Sequence, residues 1–297
     1  MNGSPNTIKD DFLLNKLPKR KKRKRRSVKS IKVRLIIFGA IAAFLIVVSL
    51  IAPLIAPHDP NETNVLLIRA MPQEGYLFGT DDLGRCVFSR LLVGSRNTIF
   101  ASLALVAITF AVGTILGMMC GYYGGAFDTI FMRITDILLA FPQMVLAIAV
   151  AGILGGSMLN AMIALGITSW TVYARLARSQ TLGIKNETFM NSARLSGISD
   201  FRILGAHILP NIFRPLLVAA TTQIGATMMG IAGLSFLGLG VIAPQAEWGS
   251  MISGARGYIQ LQPWATMAPT FAMLVTIIIF NLLGDAARDL SDVNGVR

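Results

Sequence analysis

Six apolar stretches, over residues 33–54, 98–122, 134–154, 158–173, 216–239 and 264–283, constrain this chain more than any other feature. A helix needs about 20 mainly apolar residues to cross roughly 30 Å of hydrocarbon. Backbone groups in lipid must find partners within the protein, and a helix satisfies its own. Of the six stretches, 158–173 is the shortest and marks the weakest span. The composition points the same way: 54% of the 297 residues are hydrophobic and only 14% are charged, too few for the surface of a soluble domain. The expected fold is an all-α integral membrane protein with six transmembrane helices. The expected organisation is a basic cytoplasmic tail over 1–32, a first transmembrane helix over 33–54 and an extracytoplasmic loop over 55–96. A core of five further transmembrane helices follows over 97–290, interrupted by a cytoplasmic loop at 174–214, and 291–297 form a cytoplasmic C-terminus.

Charge gives the orientation. Thirteen of the 27 Lys and Arg precede Leu35, chiefly in the unbroken basic run from Lys19 to Arg26. Beyond the tail, 14 basic residues face 13 acidic ones, so nearly all of the net charge of +12 belongs to the tail. A basic run of this kind can bind nucleic acid, open a signal peptide, or flank a membrane helix on the cytoplasmic side and touch anionic lipid. An apolar run begins at Val33 and no convincing small-residue cleavage site follows it, which favours the third reading. Membrane lipids, and no nucleic acid, are the expected partners of the tail. Six spans return the C-terminus to the same face of an inner, or plasma, membrane. The loop 174–214 then faces the cytoplasm, and it carries Arg175, Arg178, Lys185, Arg194, Arg202 and Arg214 against Glu187 and Asp200.

Catalytic chemistry has little to work with. The two histidines, His58 and His207, fall on opposite sides of the expected membrane, and no H-E-x-x-H, C-x-x-C, G-x-S-x-G or P-loop pattern occurs. Cys86 and Cys120 bracket one long span and are expected near opposite faces, too far apart to pair. The spans hold few ionisable groups. Asp136 is expected to pair with Arg133 at the interface, and Asp285, Arg288 and Asp289 have the spacing of a surface salt-bridge cluster. The chain is therefore expected to be no enzyme and to hold no cofactor and no metal. Gly113, Gly117 and Gly121 form a four-residue stripe that suits close helix packing, while the glycines from Gly225 to Gly240 are the better candidates for a moving element.

The loop at 174–214 has a pattern of its own. Residues 185–195 can form a helix with Phe189, Ala193 and Met190 on an apolar face, and Gly197 can take the left-handed turn that ends it. Ser199 is placed to cap a second helix with Asp200 in its first turn, Phe201, Ile203, Leu204 and Ile208 supply apolar surface, and Pro210 is expected to stop it. Spacing alone leaves two alternatives, a helix pair that docks in a partner's groove and an amphipathic loop lying on lipid.

Asn191-Ser192-Ala193-Arg194 with Gly197, and then Asp200, Ile203, His207, Leu209 and Pro210, resemble the EAA loop of ABC-importer permeases. Asn191 stands in place of the leading Glu and His207 in place of the distal Ile, as in the branch that imports peptides, nickel and small chelates. Gly79-Thr80-Asp81-Asp82-Leu83-Gly84-Arg85, Gly121-Tyr122-Tyr123-Gly124-Gly125, Ala140-Phe141-Pro142, Leu234-Ser235-Phe236-Leu237-Gly238-Leu239-Gly240, Glu247-Trp248-Gly249, Pro263-Trp264 and Phe280-Asn281-Leu282-Leu283-Gly284-Asp285 resemble the same branch, in order. Cys86 departs from it where Asp is usual, and so does the ending from Ala287 to Val293. The resemblance is closest to the second, C-type permease of dipeptide, oligopeptide and nickel importers. It implies the type I ABC importer permease fold and a heterodimer with a second permease. It also implies two ATP-binding cassette ATPase subunits docked on the ten residues named from Asn191 to Pro210, and an extracytoplasmic substrate-binding protein. Peptides are the first expectation for the substrate and nickel or a metal chelate the second, with no substrate-binding residue assigned. A membrane exporter or lipid-handling protein is the rival of a different class.

Overall fold

The computed structural model describes residues 28–294. Most of the basic tail, residues 1–27, and the last three residues lie outside the described part. The regular structure of the described residues is helical: α1 (Val28–Ile55), α2 (Val87–Tyr123), α3 (Gly125–Ala140), α4 (Gln143–Leu154), α5 (Met158–Ile184), α6 (Thr188–Leu195), α7 (Asp200–Phe236), α8 (Trp248–Ala255) and α9 (Pro263–Asn294). No strand occurs among them, only isolated bridges between Gln73 and Tyr76 and between Thr80 and Cys86.

Each of the six expected stretches falls mainly on helix, the fifth ending at Phe236 and not at residue 239, but they do not cross alike. By length and apolarity α1, α2, α7 and α9 can each span a bilayer. The stretch 134–154 is α3 and α4, bent by 92° at Phe141 and Pro142, and counts as a fifth span only if the bent pair is taken together. Pro142 lacks an amide hydrogen and forces the preceding residue out of helical geometry, so the break follows from the sequence. The stretch 158–173 is the first part of α5, whose 27 residues are long enough to cross but fall short in apolarity. Its polar residues are buried: the hydroxyls of Thr168, Ser169, Thr171 and Thr181 donate to carbonyls three or four residues back in the same helix. An inner helix can carry such residues without presenting them to lipid.

The glycine stripe explains why α5 sits where it does. A Cβ on Gly113 would overlap the Trp170 carbonyl oxygen, one on Gly117 the Ala174 carbonyl oxygen, and one on Gly121 would lie 2.7 Å from Thr181 Cβ. The two helix backbones are therefore in direct contact along three turns, as the small-residue stripe leads one to expect. Around this pair the core divides into three clusters. One joins Tyr173, Met228, Trp248 and Phe280, a second joins Leu105, Ala147, Leu165 and Ile231, and a third joins Met118, Tyr122, Met190 and Ile208.

One end of the bundle is covered by residues 56–86, most of the segment expected as a loop over 55–96, whose remainder is helical from Val87 onward. Asp81 organises it. Its carboxylate accepts from the amides of Leu83 (2.9 Å) and Arg85 (3.0 Å) and from Arg85 Nε (2.8 Å), with Arg90 Nε at 3.5 Å. Arg90, on the first turn of α2, donates to the carbonyls of Pro60 (2.9 Å) and Pro244 (3.1 Å), which ties this cover to the segment before α8. Buried Glu247 caps α8 through the amides of Gly249 (2.8 Å) and Ser250 (2.9 Å) and accepts from Thr98 of α2 at 3.1 Å. Tyr258 sits under Arg69, 4.9 Å from guanidinium to ring centre, and burial beside Asp82 and Asp81 pushes its hydroxyl up to about 12. Cys86 lies at this end and Cys120 thirty-four residues on, near the other end of α2; both are buried and free.

Candidate functional site

At the opposite end, α5 runs on to Ile184 and α7 starts at Asp200, so the expected loop is mostly helix and the irregular part is short. Between them α6 stands as a separate two-turn helix. It ends as the sequence suggests: Gly197 has φ +73°, its amide donates to the Arg194 carbonyl (3.0 Å), and the Ile198 amide donates to the Ala193 carbonyl (3.3 Å). These are the bonds by which a left-handed residue closes a helix. Ser199 has the extended backbone of a cap, but its hydroxyl caps nothing.

Pro210 does not stop the second helix. From Asp200 the helix continues through a π-helical turn at Ile203–Ile208 into Leu209–Phe236. The wider turn sits just where the proline would otherwise lose its hydrogen bond and press on the carbonyl four residues back. Pro210 thus falls in the first turn of an α-helical stretch, where a missing amide hydrogen is harmless. The Asn211 side chain donates to the His207 carbonyl at 2.6 Å.

The helix pair is anchored to the bundle. Met190, Ile203 and Ile208 are buried in one cluster with Met118 and Tyr122 of α2 and Ala177 of α5, and Ala193 is buried as well. The Tyr122 hydroxyl donates to Asp200 Oδ1 at 2.6 Å, and the Arg194 guanidinium lies 5.4 Å over the same ring. Nearby, Arg178 of α5 clasps Asp128 of α3 with two parallel bonds. Asp136 pairs with Arg175 of α5 at 2.7 Å, not with its own-helix neighbour Arg133.

The expected site residues separate into two faces. Ala193 and Ile203 point inward, Arg194 and Asp200 bind Tyr122, and His207 and Leu209 are half-buried on the π-turn side. Asn191, Ser192, Gly197 and Pro210 are exposed. Two residues outside the expected set stand out: Leu195 is 90% exposed and Phe201 is 88% exposed, one on each side of the Gly197 turn. Their signal was present in the sequence. Leu195 is five residues past buried Met190, which puts it on the far side of the helix, and Phe201 is an aromatic set between Asp200 and Arg202. Tyr122 had no such signal, because 78 residues separate it from Asp200.

The turn makes a specific prediction. No atom lies within 4 Å of a Cβ built on Gly197, so a side chain there meets no clash, only an unfavourable backbone. Gly197→Val should misdirect α6 and weaken partner docking, while Gly197→Asn, which tolerates the left-handed region, should keep most of it. Membrane insertion should be normal in both, and pull-down of the solubilised variants reads the difference.

Residues 113–293 match the model of a family described as "Binding-protein-dependent transport system inner membrane component". A probable D,D-dipeptide transport system permease of Escherichia coli K12, DdpC, is 41% identical over 254 residues, covering 86% of this chain and 85% of that protein. The dipeptide transport system permease DppC of Haemophilus influenzae is 41% identical over 251 residues, covering 82% and 85%. The glutathione transport system permease GsiD of Shigella sonnei is 43% identical over 249 residues, covering 84% and 82%. Among solved structures, the inward-facing MetNI methionine ABC transporter matches with a TM-score of 0.48 and 17% identity, over 65% of this chain and 94% of that one.

Proposed function

Because this chain belongs to the inner membrane components of binding-protein-dependent transport systems, we propose that it is one of two different permeases that together pass short peptides through the membrane. The chain is a multi-pass permease subunit of an ABC importer and does not itself hydrolyse ATP. Peptides are the substrate class because relatives over 40% identical across most of the chain are named for dipeptide and glutathione transport. The orientation follows from charge: the basic tail and the α6 end face the cytoplasm, and the cover formed by residues 56–86 faces outward.

One observation carries the coupling reading, namely a short helix and turn that expose Leu195 and Phe201 while the other face is bolted to α2. An amphipathic helix with protruding apolar residues fits a groove on a partner. When two docked ATPase subunits close on ATP, force on the α6 element passes through Met190 and the Tyr122–Asp200 bond into α2. The glycine stripe obliges α5 to follow. The permeases thereby shift between inward- and outward-facing packings, provided each ligand prefers one of them. The residues from Asn191 to Pro210 form the ATPase-coupling element in this account. Its test is reconstitution of the chain with its co-purifying permease, ATPases and binding protein in liposomes. ATP-dependent accumulation of a labelled dipeptide is expected, and accumulation of a nickel chelate but no peptide would contradict the substrate class.

A further inference from the structure

Two glutamines sit at the mid-depth of this bundle. A groove of about 370 Å³ lies between α4, α5 and α7, lined among others by Gln143, Ser169, Gln223 and Thr227 with Met144 and Met229. Its depth is fixed by Leu165, which lines it and packs in one cluster with Leu105, the central residue of α2. The groove opens to the outside of the single chain: Gln143 is exposed and Gln223 half-exposed. Gln143 Nε2 donates to Ser169 Oγ at 3.0 Å, and Ser169 Oγ donates to the Leu165 carbonyl at 2.7 Å. Among the described residues, the Gln143 side-chain oxygen and the whole Gln223 side-chain amide have no partner.

Polar side chains at this depth face a water-filled cavity or the interior of an assembly, because unpaired amides in hydrocarbon are costly. The residues also state what the cavity suits. None of its lining side chains is charged, so no ligand charge is paired there. A primary amide offers one carbonyl acceptor and two N–H donors, the complement of a peptide bond. The methionines beside them are flexible and apolar, a wall that adapts to differing side chains. The volume falls in the roughly 300–1,000 Å³ range of small-molecule sites.

Resting on the peptide-importer reading above, we propose that Gln143, Ser169, Gln223 and Thr227 form this chain's half of the solute pathway and hold a passing peptide by its backbone amides. Selection by backbone, with no charged or shaped pocket, passes peptides of varied sequence and leaves discrimination to the binding protein.

Two measurements on the reconstituted complex test this. Gln143→Cys and Gln223→Cys should each react with a charged methanethiosulfonate, and dialanine should slow the reaction. Phe44→Cys, exposed on α1 among apolar residues and outside the groove, should not react, and the unsubstituted chain with its buried cysteines sets the background. Second, the double variant Gln143→Leu with Gln223→Leu should lower ATP-dependent dialanine uptake roughly thirtyfold, the size expected from losing two neutral hydrogen bonds, with ATPases still co-purifying. Glutamine positions as unreactive as Phe44→Cys would mean a dry face packed against the second permease, which overturns the proposal. Full uptake by the double variant also overturns it. Absence of dialanine uptake by the wild-type complex would instead overturn the peptide reading, while the labelling still reports whether the groove holds water.

Discussion

Gly117→Leu is expected to abolish recovery of folded protein. The Gly117 position has no slack: an added Cβ would overlap the Ala174 carbonyl oxygen and lie 2.7 and 2.8 Å from the carbonyl carbon and Cα of the same residue. These are backbone atoms of a helix and cannot rotate aside as a side chain would. Accommodating a leucine requires α2 and α5 to part along the whole stripe, which also opens the contacts at Gly113 and Gly121. Overpacking a core ordinarily costs about 1–3 kcal/mol; separating a helix pair should exceed that, against a total stability of about 5–15 kcal/mol. Gly183→Leu is the matched control, since Gly183 is exposed on α5 with no atom within 4 Å of its would-be Cβ. Size-exclusion chromatography of the detergent-solubilised variants should give a monodisperse peak for Gly183→Leu and none for Gly117→Leu. Normal recovery of Gly117→Leu would mean that the two helices are not packed as described.

The second large effect is on partner binding and leaves the fold untouched. Leu195→Asp together with Phe201→Asp should strip the ATPase subunits from the complex. At 90% and 88% exposure these side chains contribute almost nothing to the chain's own core. Burying each in a partner groove would contribute about 1.5–3 kcal/mol, so the pair is worth roughly two to four orders of magnitude in affinity. Two aspartates add the cost of placing charge in an apolar contact. The double variant should therefore melt at the wild-type temperature, retain the second permease and lose the ATPases on purification. If the ATPases remain bound, docking takes place elsewhere on the chain.

Much of this architecture was legible because membrane helices announce themselves locally. The apolar stretches, the Gly113–Gly117–Gly121 stripe and the Gly197 turn each depend on neighbours within a few residues; the stripe and the turn are found where the sequence puts them, and four of the six stretches lie on helices able to span by themselves. The features that escaped depend on distant partners. A polar α5 makes sense only once α2 is seen to cover it, since its hydroxyls are satisfied within the helix. Asp136 pairs across helices with Arg175 instead of along its own. Pro210 reads as a stop signal, yet a π-turn absorbs it and the helix runs on. In the α6 element the glycine hinge was visible, whereas Tyr122, whose hydroxyl binds Asp200 beyond the hinge, belongs to another span. The groove of Gln143 and Gln223 was hidden for the same reason, as its residues come from three separate helices.

On the proposed function, this chain is one permease of an assembly powered by separate ATPase subunits held on its α6 element. Native mass spectrometry of the complex, purified in mild detergent through a tag on this chain, tests it most directly. The predicted result is one copy of this chain with one different permease and two ATPase subunits, and the same species without ATPases for the Leu195→Asp, Phe201→Asp variant. A stable particle containing this chain alone, with no ATPase at any detergent concentration that preserves its fold, would contradict it.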